Sequence, residues 1–142
     1  MTSYSVLIVD DEEEFRTLTT KRLIRRELQC ENAPNGDVAL EMITAKEYDV
    51  VLLDVKMPGK DGVEILRDIK KIAPMTEVVM LTGHASVESG ISGIKYGAFD
   101  YLIKPIDLDT LLEKLNAAYA RRLEQLKKIE AAQTKRDTAR PD

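Results

Sequence analysis

Four short apolar runs punctuate the chain: Val6-Leu7-Ile8-Val9, Val50-Val51-Leu52-Leu53, Val78-Val79-Met80-Leu81 and the weaker Tyr101-Leu102-Ile103. They are continuous rather than alternating, which requires burial on both faces. Rich in β-branched residues and bounded by polar or turn residues, they predict central parallel strands. Gln29-Cys30-Glu31-Asn32-Ala33 is more polar and predicts a fifth strand at an edge. Between the runs, apolar residues recur at helical spacing. Phe15, Leu18, Leu23 and Leu28 mark one helix, and Val38, Leu40, Met42 and Ile43 a second, opened by Asn35-Gly36-Asp37. Val63, Leu66, Ile69 and Ile72 mark a third, closed by Pro74, and Val87, Ile91 and Ile94 a fourth, closed by Gly97. A last helix is predicted from about Asp107 to about Ala132. This alternation predicts a doubly wound α/β sheet with right-handed crossovers.

Two elements break the pattern. The fourth helix carries Gly90 and Gly93, each costing about 1 kcal/mol against alanine in a helix interior. That marks either a labile element or a close approach of a neighbouring backbone. The last helix, at about 36 Å for some 24 residues, is longer than a domain of this size is wide, so its end should protrude. Within it Leu112, Leu115, Tyr119, Arg122, Leu126 and Ile129 are spaced three and four apart. They form a candidate dimerising seam, short of the run that defines a coiled coil, or else a solvated tail. Residues 134–142 are polar and are expected to be disordered. The boundaries predicted are a domain over 1–121 and a helical extension and tail over 122–142.

Composition narrows the function. The 142 residues fit one ordinary domain with an appendage. Lys plus Arg number 21 and Asp plus Glu 25, a net charge of −4, which gives no electrostatic reason to seek nucleic acid or an anionic membrane. A single cysteine, Cys30, excludes an intrachain disulfide and disfavours structural zinc. The N-terminal residues lack a signal-peptide pattern and no apolar run approaches a membrane span, so a cytoplasmic location is expected.

In such a sheet, ligands bind beyond the carboxyl ends of the strands. There stand Asp10-Asp11-Glu12 after the first strand, Asp54 after the third, Thr82 after the fourth and Lys104-Pro105 after the fifth. Two carboxylates about 4 Å apart repel by roughly 4 kcal/mol at an effective dielectric of 20, so a proton or a cation must sit among the acids. An all-oxygen, open site suits Mg²⁺, with Mn²⁺ as substitute. For Asp10-Asp11 alone, helix capping is an equal reading. Alone, Lys104 reads as a surface lysine and Thr82 as a helix cap; their joint placement makes a site. Asp54, a charge at the mouth of a buried strand, reads as a carboxylate nucleophile for phosphoryl transfer, with the cation, Lys104 and the Thr82 hydroxyl available to the equatorial oxygens.

These stretches, with Asp54-Val55-Lys56-Met57-Pro58-Gly59, Asp61-Gly62, Leu81-Thr82-Gly83-His84-Ala85 and Gly97-Ala98-Phe99-Asp100-Tyr101-Leu102-Ile103-Lys104-Pro105, resemble the receiver domains of two-component response regulators over about residues 4–121. The resemblance implies a flavodoxin-like strand order 2-1-3-4-5. It implies Asp54 as phosphoacceptor, and Mg²⁺ held by Asp11, Asp54, the Lys56 carbonyl and, partly through water, Asp10. It also implies a switch hydroxyl at Thr82, a phosphoryl contact at Lys104, an aromatic switch at Tyr101 and a cis Lys104–Pro105 bond. Lys56 and His84 occupy positions that tune dephosphorylation and are expected to shield Asp54 from water. The implied partners are a sensor histidine kinase or phosphotransfer protein as donor and a downstream protein or effector domain, with a homodimer as one outcome of phosphorylation. The output face would be the fourth helix, last strand and last helix.

Three rivals are weaker. A haloacid-dehalogenase-type phosphatase needs a second aspartate where Lys56 stands. A flavin or nucleotide binder would show a glycine-rich loop after the first strand. A degenerate receiver would lack one of the acids, the hydroxyl or the lysine. The expectation is a receiver that labels itself rather than a turnover enzyme. It is either a stand-alone receiver or the front of a larger regulator, and Leu81-Thr82-Gly83-His84 resembles AAA+-coupled transcription activators.

Overall fold

The computed structural model describes residues 3–55, 61–83 and 87–139. The apolar runs form β1 (Ser5–Val9), β3 (Val50–Leu53), β4 (Glu77–Thr82) and β5 (Asp100–Ile103), and the polar run forms β2 (Gln29–Ala33). Among the described residues they make one five-stranded parallel sheet in the order β2-β1-β3-β4-β5, with polar β2 at an edge as its composition predicts.

Alternate strand residues serve two cores, which is why the runs are continuously apolar. Leu7, Val9, Val51, Leu53, Val78 and Met80 pack with Ala39 and Ile43 of α2 (Gly36–Ala45) and with Ile65, Leu66 and Ile69 of α3 (Gly62–Ile72). Val6, Ile8, Val50, Leu52, Val79 and Leu81 face the opposite layer, against Leu23 of α1 (Glu13–Arg25) and Leu111, Leu115 and Ala118 of α5 (Leu108–Ala139). Each such side chain contributes about 1.5–3 kcal/mol by leaving water. The remaining helix, α4 (Val87–Lys95), lies against β5.

Local chemistry sets the helix ends. The Asn35 side chain accepts from the Val38 N–H (2.9 Å) and Asp61 from the Val63 N–H (3.2 Å), capping α2 and α3. Gly97, at φ +103°, closes α4: its N–H donates to the Ile94 carbonyl and that of Ala98 to the Gly93 carbonyl. Of the two readings of the glycine pair in α4, close approach accounts for Gly93, although the neighbour is a side chain. A Cβ there would lie 2.6 Å from the Met80 sulfur, while one at Gly90 would rest in ordinary contact with the Tyr101 ring at 3.5 Å.

The last helix runs further than expected, through Ala139 instead of about Ala132, and 32 residues give it a length of about 48 Å. Residues 134–139, expected to be disordered, are helical, continuing the alanine- and lysine-rich helix before them with no proline intervening before Pro141. The helix also crosses the 121/122 boundary unbroken. Much of the seam expected to dimerise is spent on the chain's own domain: Leu115 is fully buried, and the Tyr119 ring stacks on Tyr4 at 4.5 Å. Arg122 is buried too, its Nε donating to Asp49 Oδ1 (2.8 Å) and its Nη2 to Glu47 Oε1 (2.9 Å). Asp49 is further held by the Ser5 N–H at 2.9 Å. Leu123 and Ile129, beyond this clasp, are exposed. No helix of the described residues is long and apolar enough to cross a membrane.

Cys30 sits half-buried on β2. Burial pushes its thiol up to about 12, against a smaller downward pull from Thr20 and with an upward push from Glu31. Thiolate at pH 8 is therefore about three orders of magnitude scarcer in the native protein than in an unfolded chain, whose thiol ionises near about 8.5. Iodoacetamide at pH 8 should label the native protein far more slowly than the urea-unfolded one, and equal rates would contradict this environment. In linkage terms the folded value lies above the unfolded one. The stabilisation is thus complete below about pH 8.5 and is lost as pH rises toward about 12.

Candidate functional site

The parallel register brings the chemistry to one rim. Val9 pairs with Leu53, so Asp10 and Asp54 leave adjacent strands side by side. The Asp54 N–H donates to the Val9 carbonyl (2.9 Å) and the Asp10 N–H to the Ala33 carbonyl (3.2 Å), extending the ladders one residue past the strands. Both aspartates are buried, at 2% and 5% exposure, where an ionised carboxylate requires compensation. Thr82, fully buried, is the last residue of β4, and its carbonyl accepts from the Lys104 N–H at 2.8 Å. The Lys104–Pro105 peptide is cis.

Compensation comes from Lys104. Its ammonium donates to Asp10 Oδ2 (2.8 Å) and to Glu12 Oε1 (2.9 Å), and stands 4.2 Å from the Phe15 ring centroid. Burial alone pulls this ammonium down, but the bonds to Asp10 and Glu12 and the nearby Asp54 charge outweigh it, so its pKa is raised and it stays charged. The loop is braced from below. Arg16 Nη1 donates to the Asp10 carbonyl (2.9 Å) and its Nε to Asn32 Oδ1 (3.2 Å), while the Glu12 N–H donates to Asp10 Oδ1 (2.9 Å).

Asp10, Glu12 and Asp54 each offer an oxygen, all within 4.8 Å of one another, and this group could hold a metal ion. Three hard oxygen donors, two of them buried, fit a small dication and do not fit a soft metal. The expected ligand set differs at Asp11. That residue is exposed and its carboxylate lies outside the group as it stands without an ion, while Glu12, paired with Lys104, lies within it. Lys56 and His84, expected to supply a carbonyl ligand and to tune dephosphorylation, lie outside the described residues. Tyr101 is half-buried on the α4 side of β5, near Gly90. Phe15 and Arg16 are absent from the sequence-based site, and Glu12 stands at its rim there without a role of its own. An acid adjoining Asp10-Asp11 was the one available signal, and the aromatic and the arginine gave none.

The family model for the response regulator receiver domain matches residues 6–116. The DNA-binding transcriptional regulator NtrC of Klebsiella pneumoniae is 36% identical over 118 residues, which are 83% of this chain and 25% of that protein. The regulatory protein AtoC of Escherichia coli K12 is 37% identical over 123 residues, 87% of this chain and 26% of that one. The chain thus spans about a quarter of the length of these curated relatives. Among solved structures, a CheY-like receiver domain protein from Methanospirillum hungatei superposes with a TM-score of 0.84 at 28% identity, covering 87% of this chain and 99% of that one. NtrX from Brucella abortus gives 0.85 at 30% identity, over 92% of this chain and 30% of that one. With its sheet order, its rim of acids and its cis Lys104–Pro105 bond, the chain belongs to the receiver-domain family of two-component response regulators.

Proposed function

We propose that Asp54 accepts a phosphoryl group in a Mg²⁺-dependent reaction and that the resulting charge switches the α4–β5–α5 face. The observation that carries this is the Asp10–Glu12–Asp54 oxygen cluster with the Lys104 ammonium hydrogen-bonded to it at the carboxyl ends of the strands. Asp54, Asp10 and the Lys56 carbonyl would hold Mg²⁺, with Asp11 turning in from its exposed position or Glu12 serving in its place. The bound cation would offset the charge that builds on the phosphoryl oxygens.

An Asp54 oxygen attacks the phosphorus of a phosphohistidine. The O–P bond forms, the P–N bond breaks, and the electron pair leaves on the imidazole nitrogen, which is later protonated. No general base is needed, because the carboxylate carries no proton. Lys104 and the Thr82 hydroxyl take the remaining equatorial oxygens. Water later cleaves the acyl phosphate, and Lys56 and His84 shield Asp54 from it. The domain therefore labels itself once per donor instead of turning over a substrate.

The donor is a sensor histidine kinase or phosphotransfer protein, and the recipient of the signal is a downstream protein or effector domain. Relatives of which this chain matches only about a quarter, among them NtrC, favour an effector joined through α5. The setting is cytoplasmic, without direct nucleic-acid contact by this chain. The added −1.5 to −2 charges (about) draw Thr82 toward the phosphoryl group, and Tyr101 follows. Exposed Ile91, Ile94 and Ile103 supply an apolar surface on this face for a partner or a second copy.

The test is NMR with beryllofluoride, an aspartyl-phosphate mimic, and Mg²⁺. Wild type should show shifts at Thr82, Tyr101 and along α4. In Thr82→Ala the mimic should still bind, but the shifts at Tyr101 and α4 should collapse. Identical spectra with and without the mimic in wild type would overturn the switch.

A further inference from the structure

Lys104 ends in four rotatable bonds, and a lysine held at one point by ion pairs alone keeps much of its freedom. Three groups fix its ammonium here: Asp10 at 2.8 Å, Glu12 at 2.9 Å and the Phe15 ring face, with its centroid 4.2 Å away. The first two are oxygen donors of the same cluster that could hold a cation. A dication there would share their lone pairs and repel the ammonium, so both anchors weaken when the site is loaded. The ring donates nothing to a metal, and its attraction for a cation persists. Phe15 is itself fixed. It is half-buried against the core formed by α1, α5 and the sheet, and it lines a cavity of about 300 Å³ with Leu18, Ile106, Leu108 and Leu111.

We propose that Phe15 is a positioning residue for phosphoryl transfer, its ring face holding the Lys104 ammonium over the site when Asp10 and Glu12 turn to the cation. The inference rests on the phosphoacceptor reading above and adds to it the group that keeps the lysine in place. A cation–π contact of this kind is strongest when partly desolvated, and the Lys104 side chain is only 13% exposed.

The ring face can be weakened without changing the packing. Site-specific replacement of Phe15 by mono-, di- and trifluorophenylalanine lowers the negative potential of the face in steps at nearly constant shape. In the full chain with Mg²⁺, beryllofluoride affinity should fall stepwise, to about three- to tenfold weaker at the trifluoro residue. The thermal midpoint should stay level across the series, and Phe15→Tyr should bind like wild type. A second readout needs no metal. The Lys104 Hε protons should resonate upfield under the ring in wild type and return downfield in Phe15→Leu. If Phe15→Leu does not fold, the fluorinated series carries the test alone. A flat series with normal wild-type binding overturns this inference and leaves Asp54 as phosphoacceptor. Failure of wild type itself to bind beryllofluoride overturns the phosphoacceptor reading, and this inference with it.

Discussion

Asp54→Asn should make the protein more stable in the absence of divalent cations while abolishing its capacity to be phosphorylated. Asp54 is 5% exposed and lies within 4.8 Å of carboxylate oxygens on Asp10 and Glu12. At an effective dielectric of 20, each such pair repels by at least about 3.5 kcal/mol, and Lys104, bonded to the other two acids, offsets part of this. Replacing the charge with an isosteric amide keeps the shape and relieves the repulsion. The expected gain is about 1–2 kcal/mol in urea unfolding with EDTA present. Added Mg²⁺ should erase the difference, because the wild-type cluster then gains binding free energy that the variant has largely lost. A wild type more stable than Asp54→Asn in EDTA would mean that the acids are neutralised by something other than an exchangeable cation.

Gly62→Ala should be the most damaging conservative substitution near the site. A Cβ at Gly62 would stand 2.5 Å from the Val55 Cα, 2.6 Å from the Val55 carbonyl and 2.9 Å from the Asp54 carbonyl. These are backbone atoms, tied in turn by the Gly62 N–H donating to the Val55 carbonyl at 2.9 Å, so the strain cannot be relieved by a rotamer change. The acceptor's own backbone must shift. A destabilisation of about 3 kcal/mol is expected, with labelling of Asp54 slowed more than tenfold. Gly36→Ala is the contrast. Its Cβ would first meet the side chain of Ile65, which is buried in the core but can give more readily than backbone, so urea unfolding should show a smaller loss of about 1–2 kcal/mol. Equal losses for the two variants would contradict this distinction.

The sheet was legible in the sequence because its central strands are buried on both faces. Val6 to Val9 could be continuously apolar only if Leu7 and Val9 served one core and Val6 and Ile8 the other. Polar β2 was legible as an edge for the converse reason. The end of α5 was less so, since a polar, alanine-rich run suits a fraying tail and a solvated helix equally well. Arg122 fitted a helical seam by its spacing alone. Its partners Asp49 and Glu47 are 73 and 75 residues away, so the sequence held no sign that it would be buried in an intramolecular clasp.

At the site, the residue types and their strand-end positions were readable, but the rotamers were not. Asp11 and Glu12 are adjacent acids, and the sequence does not say which of them pairs with Lys104 beside Asp10. That is fixed only once β1 and β5 are assembled around the sheet. Phe15 is a core-facing helix residue in any one-dimensional reading. Its second role depends on a lysine 89 positions later reaching across its face.

The central claim is that Asp54 is an ionised, cation-dependent acceptor. Intact-mass spectrometry after incubation with acetyl phosphate, followed by peptide mapping after borohydride trapping, tests it most directly. One phosphoryl group should appear with Mg²⁺, map to Asp54, and be absent with EDTA or in Asp54→Asn. An unchanged wild-type mass with Mg²⁺, or a label that survives Asp54→Asn, would contradict the account.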